Sequence, residues 1–191
     1  MKLRGLIFDC DGTLADSMPL LWCAWEEVTT RHGVEFTRER FYALGGVPGR
    51  TVARMLVEEQ GVAVDPQVLA RDKDEAYWKL IPQVQPVNAV IDVARAYHKK
   101  LPMAVASGGK QETIFKVLDH LDIRDLFDEI VTSESVAHQK PAPDIFLEAA
   151  RRLNIPPATC RAYEDSMLGL QAIRAAGMQA VDVRQLLELR V

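Results

Sequence analysis

The sequence predicts an α/β protein, with a three-layer, Rossmann-like core built on a parallel sheet and a helical cap inserted into it. Three observations carry that reading. Residues 3–8 are a short, mostly apolar run closed by Asp9-Cys10-Asp11-Gly12-Thr13, the pattern of a strand buried on both faces and ended by a turn. Residues 16–86 carry helical periodicity with no strand signal. Beyond Pro86, short apolar strands alternate with helices, which argues for a parallel sheet covered on both faces. The expected organisation is a core from residues 1–15 and 87–191, with the cap at 16–86.

Each element has its own signal. In the cap, Met18, Leu21, Trp25 and Val28 recur at helical spacing up to His32-Gly33. Thr37 is placed to cap a helix through Phe41 and Leu44. The glycine-rich stretch 45–49 is a break, followed by a helix that stops at Gly61. Asp65-Pro66 opens the next helix, with Pro at its first position, and Pro82 and Pro86 bracket a linker. The three tryptophans all fall in this block and read as core. In the core, a helix face at Val90, Val93, Ala94 and Tyr97 precedes a strand at 102–107. A helix at 111–120, a strand at 127–131 and a helix from Pro143 to Leu153 follow. The strand at 161–164 then gives way to a helix capped by Ser166 and closed by Gly177, and 178–183 is the last strand.

Bulk properties narrow the function. The chain of 191 residues is 48% hydrophobic and 26% charged, with a net charge of −4. That balance, without a dense Lys/Arg run, speaks against nucleic acid or a membrane surface as the main partner. No apolar segment is long enough to span a bilayer. Cys10, Cys23 and Cys160 fit neither a disulfide framework nor a zinc site. The expectation is a cytoplasmic monomer acting on a small molecule, with Cys10 as an apolar filler.

The chemistry gathers where strands end. Asp9 and Asp11 follow the first strand, Ser107-Gly108-Gly109 the second core strand, and Glu164-Asp165 the strand at 161–164; Lys140 lies in a loop ahead of Pro143. In a parallel sheet those ends share one edge, where ligands bind. Crowded carboxylates at a strand end do not suit packing unless a cation relieves them. Oxygen donors without His or Cys select a hard cation, with Mg²⁺ the default. Lys140, the Ser107 hydroxyl and the N–H groups of residues 107–109 suit a phosphate. Together these point to phosphoryl transfer.

With those residues in place, the chain resembles the haloacid-dehalogenase-like hydrolases, in the subgroup with a helical cap inserted after the first motif. The resemblance covers essentially the whole chain. Its motifs are Asp9-Cys10-Asp11-Gly12-Thr13-Leu14, Ser107, Lys140-Pro141, and Glu164-Asp165-Ser166 with Gly169. Within that family the chain is most similar to bacterial sugar phosphatases acting on fructose 1-phosphate, with the beta-phosphoglucomutases as neighbours; residues 102–105 and 140–144 carry much of that match.

The resemblance implies roles. Asp9 would be the nucleophile that forms an aspartyl-phosphate, and Asp11 the general acid and base, its backbone carbonyl also reaching Mg²⁺. Asp165 would ligate the metal together with Asp9. Glu164 would either stand near the metal or brace a neighbouring loop. Ser107, Gly108 and Lys140 would bind the phosphoryl oxygens, and the Lys140-Pro141 peptide would be cis. In the cap loop, Gly46 and Arg50 would meet the substrate, although Arg50 also reads as a solvated charge at a helix start. Asp16-Ser17 reads as a hinge and helix cap. Mutases of this family carry a cap His where this chain has Leu21, which favours hydrolysis. A dehalogenase would lack Asp11 and Asp165, and a non-catalytic sugar-phosphate binder would have lost Asp9 or Asp11.

Overall fold

The computed structural model describes residues 2–188. Five parallel strands form the central sheet, in the order β5 (Glu129–Val131), β4 (Met103–Ala106), β1 (Gly5–Phe8), β6 (Cys160–Glu164), β7 (Gln179–Asp182). The chain leaves β1 for β4 on one side and reaches β6 on the other, so the topological switch point lies at the end of β1, where such sheets take ligands. Register decides what meets there. Phe8 is level with Val105 on one side and Tyr163 on the other. Asp9, Ser107 and Glu164 therefore emerge along one edge.

Alternation along the strands produces the layers. Leu6, Phe8, Met103, Val105 and Tyr163 share an apolar cluster with α5 (Asn88–Tyr97) and α6 (Gln111–His120). Ile7, Ala104, Ala106 and Ala162 belong to a second cluster with α7 (Asp144–Arg152) and α8 (Met167–Ala175). Phe8 stacks on Tyr163 with ring centroids 4.8 Å apart. The parallel sheet covered by helices on both faces is the α/β fold the sequence predicts.

Between β1 and α5 lie four helices, α1 (Met18–His32), α2 (Arg38–Ala43), α3 (Gly49–Gln60) and α4 (Pro66–Leu80). α4 packs on both α1 and α3. Trp22, Trp25, Phe36 and Phe41 form their aromatic centre. Two expected caps form, with Thr37 accepting from Arg40 N–H and Asp65 from Gln67 N–H. Ser17 stands at the N-cap of α1, but its hydroxyl makes no capping bond; it donates to Asp11 instead.

Two features depart from the sequence reading. The chain passages into and out of the helical block pair with each other: β2 (Ala15–Asp16) lies antiparallel to β3 (Gln85–Pro86). Two-residue strands are too short for periodicity to reveal. The last strand ends at Asp182, and α9 (Val183–Glu188) follows where no helix was expected. No helix among the described residues is long and apolar enough to cross a membrane.

Candidate active site

Asp9 continues the sheet for one residue beyond β1, its N–H donating to Tyr163 carbonyl at 3.0 Å. That bond fixes the backbone that carries its carboxylate. Lys140 arrives from the loop before α7 on a cis Lys140-Pro141 peptide. Its ammonium, 1% exposed, donates to Asp9 Oδ1 at 2.6 Å and to Glu164 Oε2 at 2.7 Å. Burial alone would lower the Lys140 pKa, but the two carboxylates outweigh burial and hold it above the ordinary lysine value. Burial and the charge of Glu164 push Asp9 well above the carboxylate range despite Lys140. Burial and Glu164 likewise lift Asp165 to about 7.

One lysine thus faces three carboxylates. Oxygens of Asp9, Glu164 and Asp165 come within 4.8 Å of one another. Their donors are all oxygen, and burial together with the neighbouring negative charge raises Asp9 and Asp165 further than one ammonium offsets. Such a set fits a hard divalent cation. Glu164 has a second role, because its Oε1 accepts the N–H groups of Asp165 and Ser166 at 3.1 and 2.9 Å. It therefore braces the loop that presents Asp165, and both sequence readings of Glu164 have a geometric basis. Thr13 Oγ1 donates to Asp165 Oδ1 at 3.1 Å. Gly12, at φ 85°, passes so close to this carboxylate that a Cβ would collide with it.

Asp11 stands apart from those three. Its carboxylate takes the Ser17 hydroxyl at 2.6 Å, and burial, partly offset by that bond, raises its pKa. Ser107 is buried at the end of β4. The sequence reading offered three N–H groups here for phosphate, and the structure corrects it. Ser107 N–H is spent on Val131 carbonyl, extending the sheet, and Gly109 N–H on Ser107 Oγ. Gly108 N–H is the one of the three without a partner among the described residues. The Ser107 hydroxyl keeps its proton for an incoming acceptor.

The cap closes over this edge. A cavity of about 100 Å³ is lined by Asp9, Asp11, Ser107, Gly108, Glu164 and Asp165 below, and by Leu21, Trp25, Gly46 and Lys73 above. Cap and core touch at two glycines. A Cβ on Gly108 would lie 2.7 Å from Gly46 carbonyl oxygen, so a side chain there would force the loops apart. Leu21 does face the cavity, and Trp25 serves both as cap core and as wall. Arg50 is exposed and lies off the main cavity, against a smaller neighbouring one and an outer groove. Lys73 and Asp74 were missed from sequence. The available signal was a charge on an apolar stripe, since Lys73 sits among Leu69, Ala70, Ala76 and Tyr77, all buried on α4.

Comparison with known proteins bears on the family and the fold. Residues 6–183 match the family described as Haloacid dehalogenase-like hydrolase. The chain is 42% identical, over 97% of its length and 98% of the relative's, to the fructose-1-phosphate phosphatase YqaB of Escherichia coli. It is 30% identical to the beta-phosphoglucomutase of Bacillus subtilis, covering 96% of this chain and 84% of that one. In fold it resembles the crystal structure of beta-phosphoglucomutase from Clostridium difficile, with TM-score 0.86, 24% identity, and coverage of 97% and 88%. With the parallel sheet, the strand-end carboxylates and a family match spanning nearly all of its length, the chain belongs to the haloacid dehalogenase-like hydrolases.

Proposed function

We propose that this protein is a Mg²⁺-dependent phosphatase that hydrolyses a small phosphorylated sugar, such as fructose 1-phosphate, through an aspartyl-phosphate. In this reading residues 1–15 and 87–191 form the catalytic core and 16–86 the cap that selects the substrate. The observation that carries it is the single cavity in which Asp9, braced by Lys140, meets Asp11, Ser107 and Asp165. The 42% identity to a fructose-1-phosphate phosphatase supports the substrate class.

The residues divide the work. Asp9 attacks phosphorus and carries the phosphoryl group. Asp11 protonates the departing sugar oxygen, then takes a proton from the hydrolytic water. Lys140, the Ser107 hydroxyl and Gly108 N–H hold the phosphoryl oxygens, donors fixed before charge develops on them. Asp9, Asp165 and Glu164, with the Asp11 backbone carbonyl, would hold the metal. When bound, Mg²⁺ supplies positive charge that offsets the crowded carboxylates and polarises the phosphoryl group. The cap, with Gly46 at its loop, keeps bulk water out during transfer.

A second reading, a phosphosugar mutase, is favoured by the identity to beta-phosphoglucomutase. Leu21 argues against it. It faces the cavity and offers neither a proton donor nor an acceptor to activate a second sugar hydroxyl, whereas Asp11 can activate water once the sugar leaves. Product analysis by NMR separates the two readings. Fructose 1-phosphate should yield free fructose and phosphate, and beta-glucose 1-phosphate should yield glucose. Stoichiometric glucose 6-phosphate without phosphate release would overturn the hydrolase.

A further inference from the structure

Asp74 has no part in the reaction above, yet it is a buried carboxylate held on both oxygens. Lys73 Nζ binds its Oδ1 and Lys110 Nζ its Oδ2, each at 2.6 Å. Lys73 and Asp74 come from α4 of the cap; Lys110 follows Ser107-Gly108-Gly109 in the core. The three line a second cavity of about 40 Å³ that shares Lys73 itself, together with Asp11, Leu21, Gly49, Gly108 and Gly109, with the main one. A substrate whose phosphate lies at Asp9 has this space beside its other end.

Two lysines converging next to a phosphate cradle would ordinarily make a second anion site. Here their converging charge is taken by a side chain. Asp74 and Lys73 are only 8% and 9% exposed, so their ion pair acts at short range with little screening, whereas Lys110 closes the cradle from its more open side. A second phosphate would have to break both bridges and lie against a carboxylate. The remaining cation at this cavity, Arg50, is exposed, and water and salt screen its pull.

We propose that Asp74 is a specificity-determining residue: an internal anion that fills the two-lysine cradle and turns the site toward sugars bearing one phosphate and away from those with a second anionic group. The proposal rests on the phosphatase reading of the main cavity. Its physical form is discrimination by built-in repulsion rather than by added attraction.

The test is calorimetry in an Asp9→Asn background, where binding is read without turnover. The quantity is the ratio of Kd values for fructose 1-phosphate and fructose 1,6-bisphosphate. Adding Asp74→Asn should shift that ratio toward the bisphosphate by about tenfold or more, since like-charge juxtaposition is strongly disfavoured. Lys110→Met, at a side chain 42% exposed, should alone change bisphosphate affinity by no more than about fivefold, the worth of an exposed charge. Combined with Asp74→Asn, it should remove most of the gain. An unchanged ratio in folded Asp74→Asn protein overturns the proposal. So does a loss of about tenfold or more from Lys110→Met alone, because Lys110 would then already be serving the second phosphate. If Asp74→Asn does not fold, the Lys110→Met result decides by itself. Turnover of fructose 1-phosphate by the unmodified protein is measured separately; its absence would fail the phosphatase reading while leaving the Kd ratios to judge Asp74.

Discussion

Lys140 sets the charge balance of the site, and because one cation serves two carboxylates, removing a carboxylate and removing the cation have different outcomes. Asp9→Asn should abolish turnover, because an amide is no anionic nucleophile. It should leave the fold intact, since Lys140 keeps Glu164 at 2.7 Å. Lys140→Ala leaves two buried carboxylates without their cation, and breaking a buried pair in this way costs about 3–5 kcal/mol. Chemical denaturation of the two purified variants checks the contrast; equal stability would refute this account of the pair. Asp11→Asn should lower kcat by about 10²–10⁴-fold, the usual worth of general acid–base assistance, with the protein still folded, because Asp11 has a hydroxyl partner rather than an ion pair. Asp9 and Asp11 stood out as site candidates from the strand-end pattern, and Lys140 from its loop ahead of Pro143. That Ser107 and Gly109 spend their N–H groups internally was not legible, because backbone partners depend on which strand lies alongside.

At the scale of elements, the site depends on two loops meeting at glycine. Gly108→Val should push the Gly46 loop outward, as even a Cβ would be 2.7 Å from its carbonyl oxygen. Overpacking of this kind costs about 1–3 kcal/mol, and here it should fall on cap closure, raising KM for the sugar phosphate more than it lowers thermal stability. An unaltered KM would show that the loops do not meet in the working enzyme. Away from the site, α7 carries Glu148, whose carboxylate takes Arg151 and Arg152 and is held down to about 2. A depressed folded pKa contributes stability that is present above the unfolded value and is lost as pH falls through the folded one. Glu148→Gln should therefore cost about 0.5–1 kcal/mol at neutral pH, a figure limited by the exposure of Arg151. The deficit should shrink from about pH 4.5 toward pH 2, which urea titrations at several pH values can follow. The helices themselves were readable from period and caps; the pairing of β2 with β3 was hidden because two residues give no pattern.

For the whole molecule, the central expectation concerns the cation. Asp9, Glu164 and Asp165 are gathered from two strand ends lying far apart in sequence, and their mutual repulsion is only partly cancelled by Lys140. A chelator such as EDTA should abolish phosphate release, and Mg²⁺ should restore it. Ca²⁺ should restore it poorly, since it prefers more ligands at longer distances. Undiminished turnover in excess chelator would remove the metal from the mechanism. Mg²⁺ should also raise the melting temperature, because a ligand bound only by the folded state stabilises it.

The layers, the position of the inserted helices and the candidate site residues were legible in the sequence. Those are written in local patterns: apolar runs closed by carboxylates, helical periodicity, and polar groups just beyond strand ends. Tertiary structure alone decided how they are used. The register of β1 between β4 and β6 brings Asp9 level with Glu164 and one residue short of Ser107, so that all three emerge at one sheet edge. The packing of α4 against the core turns Lys73 and Asp74 from charges on an apolar stripe into walls of the site. Arg50, one residue past Gly49, is left exposed beside the smaller cavity. Such outcomes depend on which surfaces meet across the fold, and partners so far apart along the chain leave no local signal at any one position.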